Sequence, residues 1–78
     1  MDRIKVVSSN LASVGYDAKT KTLEVEFNGG AIYQYFDVPS HVYTGLLFSL
    51  SVGKFFRANV KEAGYSYKRV DLKEIDAN

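Results

Sequence analysis

The run Thr22-Leu23-Glu24-Val25-Glu26-Phe27-Asn28-Gly29-Gly30-Ala31-Ile32-Tyr33-Gln34-Tyr35-Phe36 decides the fold. Leu23, Val25 and Phe27 alternate with Thr22, Glu24 and Glu26, the period of a strand with one buried face. Asn28-Gly29-Gly30 tolerates positive φ and closes a hairpin. With a three-residue loop Phe27 faces Ala31, Val25 faces Tyr33 and Leu23 faces Tyr35. One sheet face is then apolar or aromatic. The other carries Thr22, Glu24, Glu26 and Gln34, with Ile32 and Phe36 at its ends. A two-residue Gly-Gly loop sets Val25 against Gln34 and puts an amide in the core, which is costly. The three-residue loop is therefore expected, with Tyr33 and Tyr35 lining the core.

Upstream, Ile4, Val6 and Val7 read as a short first strand, followed by the polar turn Ser8-Ser9-Asn10. Ala12, Val14 and Tyr16 alternate with Leu11, Ser13, Gly15 and Asp17 and predict a second strand with Leu11 on its outer side. Asp17 opens a turn to Lys21. Downstream the period changes. Val38-Pro39-Ser40 ends the sheet, with Ser40 as helix N-cap. Val42, Tyr43, Leu46, Leu47 and Leu50 recur at helical spacing. Gly45 weakens this helix by about 1 kcal/mol against Ala. Ser51 caps a second helix with Val52, Phe55, Phe56 and Val60 on one face, and Gly64 stops it. Residues 65–70 read as a fifth strand. The expected fold is α+β: an antiparallel sheet of four to five strands packed on one face against two helices. Residues 1–70 form the single domain and 71–78 a polar C-terminal tail.

The chain has 78 residues, room for one domain. It contains no cysteine and one histidine, which excludes a disulfide scaffold, thiolate chemistry and a His-cluster metal site. No cofactor and no metal are expected. No stretch of about 18 apolar residues is present to span a membrane. Met1-Asp2-Arg3-Ile4-Lys5 lacks the apolar run of a signal peptide, so a cytoplasmic location and no membrane partner are expected. Six tyrosines and five phenylalanines supply the large side chains that so small a core needs. His41 and Asp37 lie close in sequence, but nothing requires a nucleophile, base and orienter to converge, so the sequence argues against an enzyme.

The formal net charge of +1 conceals segregation. Between Lys54 and Arg69 there are five basic residues and one acid, Glu62, while the rest of the chain carries five basic and eight acidic residues. On the second helix Lys54, Arg57 and Lys61 fall on one arc, opposite Phe55, Phe56 and Val60. Such a strip meets a phosphate backbone by displacing counterions. It is equally what any solvated helix face carries. Tyr65 and Tyr67 nearby offer rings for base stacking, and Lys68 and Arg69 add charge. Ser51, Gly53 and Lys54 at a helix start form a candidate anion site, although an ordinary serine cap explains them as well. Phe48, on the side away from Leu46 and Leu47, is expected to be exposed. It would serve a protein-interaction or self-association surface.

Ser8-Ser9-Asn10, Val14-Gly15-Tyr16-Asp17, Leu23-Glu24-Val25, Tyr33-Gln34-Tyr35, Val38-Pro39, Val42-Tyr43 and Ser51-Val52-Gly53-Lys54-Phe55-Phe56 follow one another in an order that resembles the KTSC family. That family takes its name from the C-terminal extension of some lysyl-tRNA synthetases and also occurs as small bacterial and phage proteins. The resemblance covers the chain from about Ile4 to Arg69. It implies no catalytic residues. Through the family's attachment to a tRNA-handling enzyme, it implies RNA as partner, single-stranded or tRNA. Arg57 and Phe48 depart from the family pattern, which has polar residues there (Asn or another at the first), and both bear on partners. The expected function is a non-catalytic module binding RNA through the basic helix face. The alternative is a protein-interaction or self-associating domain around Phe48.

Overall fold

The hairpin forms in the expected register. In the computed structural model, which describes residues 1–70, β3 (Thr22–Phe27) and β4 (Ile32–Tyr35) pair antiparallel, with Val25 opposite Tyr33 and Leu23 opposite Tyr35. The Phe27 N–H donates to the Ala31 carbonyl at 2.8 Å. Gly29 and Gly30 take φ of 106° and 101°, which side-chain-bearing residues resist. Around this pair lie β1 (Ile4–Lys5), β2 (Leu11–Asp17) and β5 (Tyr67–Val70), giving one five-stranded antiparallel sheet in sequence order. The helices α1 (Ser40–Phe48) and α2 (Val52–Phe56) follow β4, and α2 runs on into a π-helical turn, Arg57–Lys61. The fold is α+β, as expected. The polar tail 71–78 lies outside the described residues.

The core is the sheet face under the helices. Leu11, Val14, Leu23, Val25 and Tyr35 meet Val38, Val42, Leu46, Phe56 and Val60 there. Leu11 corrects the simple period-two reading, which put it on the outer side. A β-bulge between Leu11 and Ser13 sets Leu11 opposite Phe27 and Ser13 opposite Glu26. The extra residue turns Leu11 inward, where it is buried, while Val14 and Tyr16 keep the same face.

Other boundaries move. The first strand keeps only Ile4 and Lys5; Val7 is fully exposed. Pro39 is the N-cap of α1 and Ser40 its first residue, so no side chain caps that helix. The helix ends at Phe48, leaving Leu50 outside it and fully exposed rather than in the core. Ser51 does cap α2 by position but makes no side-chain cap bond.

Gly45 is less a weakness than a seat. A Cβ there would lie 2.5 Å from Cζ of Phe55, so its absence lets the second helix's ring press onto α1. Gly45→Ala gains about 1 kcal/mol of helix propensity but overpacks the contact by roughly 1–3 kcal/mol. We expect a net loss, read as a lower urea midpoint with an unchanged slope; a raised midpoint would contradict this packing.

The outer sheet face departs furthest from the simple alternation. Ser13, Thr22 and Glu24 are buried on it. Just before the edge strand β1 the chain lies close to Gly15, and the Arg3 side chain reaches over this face. The Arg3 guanidinium pairs with Glu24, and its Nε donates to Ser13 Oγ at 2.9 Å. Ser13 Oγ donates to Glu26 Oε1 and Gln34 Nε2 donates to Glu24 Oε1, both at 2.8 Å. Gly15 makes this approach possible, because a Cβ there would run into the Asp2 carbonyl. Glu24 and Glu26 therefore do not form a bare acidic surface.

Candidate phosphate-binding groove

Three sequence segments converge beside the second helix. The loop Ser8-Ser9-Asn10 is held rigidly: Ser8 Oγ accepts from the Asn10 and Leu11 N–H groups at 3.2 and 3.3 Å. Asn28, at the hairpin tip, donates from Nδ2 to the Ser8 and Ser9 carbonyls and from its backbone N–H to the Asn10 carbonyl. Gly53 of α2 packs against this loop, with its Cβ direction 3.3 Å from Ser8 Oγ and 3.6 Å from Asn10 Nδ2. The glycine's open space thus admits the neighbouring loop.

Between loop and helix runs a solvent-open groove of about 780 Å³. Lys54, Arg57 and Lys61 line it on the helix side, and Ser8, Ser9, Asn10 and Asn28 on the other. Phe27, Val52 and Phe56 contribute its apolar lining, and the fully exposed Val7 and Leu50 also border it. Phe56 and Val60 are anchored in the core, which points the three cations away from it. The π turn is closed by the Glu62 N–H on the Arg57 carbonyl at 2.9 Å. Such wide turns recur at functional sites. This one keeps Arg57 and Lys61 on the same groove.

The cations are nearly unneutralised. Among the described residues neither Lys54 nor Lys61 has an ion-pair partner, and Arg57 meets only Glu62 at 3.9 Å, both largely exposed. An exposed pair at that distance contributes about 0–1 kcal/mol and yields readily to a phosphate.

The other expected contact residues separate. Ser51, Gly53 and Lys54 border the groove together. Tyr65 is half-buried and packs on the core. Tyr67 and Arg69 stand opposite Tyr35 and Tyr33, on the helix-bearing sheet face, whereas Lys68 stands opposite Gln34, on the outer face. Lys68 and Lys54 are thus on opposite sides of the sheet. Phe48 is 82% exposed on α1. His41 is exposed, and its side chain makes no hydrogen bond among the described residues. Among the described residues no helix is long and apolar enough to cross a membrane, and no group of three or more His, Asp or Glu side chains is arranged to hold a metal. Asn10 and Asn28 were legible only as turn residues; their place in the groove depends on a contact across the chain.

The profile of the KTSC domain family matches residues 7–67, the segment that contains both walls of this groove. The chain belongs to the KTSC family. A solved KTSC domain protein from Yersinia pestis superposes with a TM-score of 0.80 at 31% identity, covering 90% of this chain and 97% of that one. An uncharacterised protein of Stutzerimonas stutzeri is 44% identical over 71 residues, 91% of this chain and the whole of that protein. A lysine–tRNA ligase of Nostoc punctiforme is 36% identical over 58 residues, 74% of this chain but 10% of the ligase. The match to the ligase is therefore to a small part of its length.

Proposed function

We propose that this KTSC domain is a non-catalytic RNA-binding module whose groove tracks the phosphate backbone. The observation that carries this is the convergence of Lys54, Arg57 and Lys61, almost free of acidic partners among the described residues, on one groove. The opposite wall offers Ser9 and Asn10 side chains that make no hydrogen bond among the described residues. Hydroxyls and amides in that position suit phosphate or sugar oxygens. The similarity to part of a lysine–tRNA ligase supports RNA as the anion.

The footprint is the groove, with Arg69 at its margin; Lys68 is on the wrong face. Three to four phosphate contacts give a log–log salt slope of roughly −2 to −3 on single strands. A fluorescence-anisotropy titration with single-stranded RNA and with tRNA, repeated across a salt series, measures it. Affinity indifferent to salt would overturn the reading.

A second reading is favoured by one observation. Val7, Leu50 and Phe48 are 99%, 107% and 82% exposed, and two of them border the same groove. Exposed apolar side chains such as Val7 and Leu50 on one groove suit a protein contact. Absence of RNA binding at low salt would select this reading, in which the domain self-associates or captures a protein through Phe48.

A further inference from the structure

Five aromatic rings form a closed circuit that runs from the groove to the sheet edge. Phe56 meets Phe27 at 5.5 Å between centroids, Phe27 meets Tyr33 at 5.6 Å, and Tyr33 meets Tyr67 at 6.0 Å. Tyr67 meets Tyr35 at 5.6 Å, and Tyr35 returns to Phe56 at 5.6 Å. One end is core: Phe56 and Tyr35 are buried. Burial raises the Tyr35 hydroxyl pKa above its ordinary value, with Tyr33 and Tyr67 adding to the effect, so this part of the circuit stays uncharged. The other end is open. β5 is an edge strand, and Tyr67 is 63% exposed although its ring belongs to the apolar face. Tyr33 beside it is only half-buried, and the exposed Arg69 stands opposite Tyr33.

Two neighbours of that edge point to its occupant. Phe27 lines the cationic groove and touches Tyr33, so groove and open rings are one continuous surface, two ring contacts apart. Arg69 adds positive charge at the rings themselves. A bare apolar edge would suit another protein; open rings next to cations that have only the loose Arg57–Glu62 pair among the described residues suit a polyanion with flat π faces. A duplex hides those faces in its stack, whereas a single strand presents them.

We propose that Tyr67, supported by Tyr33 and flanked by Arg69, stacks a base of a single strand whose phosphates lie in the Lys54–Arg57–Lys61 groove, so that the domain selects single-stranded over duplex RNA. This rests on the groove reading and adds to it the form of RNA preferred. Tyr65 takes no part, being packed on the core.

The test compares oligoadenylate with a blunt RNA duplex of equal length in low salt. Wild type is expected to bind the single strand about ten-fold or more tightly. Tyr67→Leu, which keeps apolar bulk but removes the π face, lowers single-strand affinity roughly 5- to 100-fold and leaves duplex affinity and the salt slope as they were. Tyr67→Phe retains wild-type affinity. As a check that needs no variant, the Tyr67 ring protons shift upfield when oligoadenylate is added. Equal affinity for both RNAs, a Tyr67→Leu variant that binds as wild type, or unmoved ring protons would overturn the stacking role. Salt-sensitive binding lost on reversing the groove charges, but indifferent to Tyr67, would leave the groove reading intact and defeat only this one. No binding of either RNA would defeat both.

Discussion

Replacing Lys54 and Arg57 together by glutamate is expected to cut the affinity for single-stranded RNA by roughly a hundred-fold in low salt, without unfolding the domain. The double reversal removes two of the three groove cations and sets two carboxylates against the phosphates, so it both forfeits counterion release and adds repulsion. Both side chains point away from the core, and among the described residues the only pair broken is the loose, exposed one between Arg57 and Glu62. The stability change should stay within about 0.5 kcal/mol. Under the protein-interaction reading the same variant leaves association unchanged. An anisotropy titration beside a thermal melt separates the outcomes.

The second large effect is on stability and concerns the opposite face. Arg3→Ala is expected to cost roughly 2–3 kcal/mol. The Glu24 carboxylate is only 8% exposed, and without Arg3 it loses its ion pair and keeps the hydrogen bond from Gln34. A buried charge left under-satisfied is more damaging than the pair was stabilising. For a domain of this size the loss corresponds to a fall in Tm of roughly 10–20 °C. Adding Glu24→Gln to Arg3→Ala removes the stranded charge and should recover a substantial part of the loss. An Arg3→Ala melt within a few degrees of wild type would show that the outer-face network is only solvated charge.

What the sequence disclosed and what it withheld divide along one physical line. The register of Val25 with Tyr33 was readable because a slip would have put Gln34 in the core, a penalty local to one hairpin. The anchoring of Phe56 and Val60, and hence the outward set of Lys54, Arg57 and Lys61, followed from helical spacing. The features that escaped depend on contacts between distant parts of the chain or on added residues in a ladder. Glu24 alternates as an outward residue, and no local pattern announces that Arg3 returns across 21 positions to cover it. Leu11 breaks the period because a bulge follows it. Leu50 continues the spacing of α1 but the helix ends before it, at Phe48. Gly45 reads as a helix weakness until Phe55 is seen to fill the space it leaves, and Gly53 reads as part of an anion site until Ser8 is seen to sit beside it.

The candidate site shows the same division. Its cationic wall was legible from charge segregation. Its polar wall was not, because Ser8-Ser9-Asn10 and Asn28 read as turns and are joined to the helix only by packing on Gly53. Lys68 was grouped with the cations by its place in the chain, and strand alternation sends it to the other face.

The central claim, that the groove is where RNA lies, is tested most directly by residue-resolved amide shifts during a low-salt titration with oligoadenylate. The account predicts perturbations over residues 8–10, at Asn28 and over residues 51–61, with Tyr67 and Arg69 at the margin and saturation that weakens as salt is raised. Perturbations centred instead on Ser13, Glu24 and Gln34 of the outer face, or none at any RNA concentration, would contradict it.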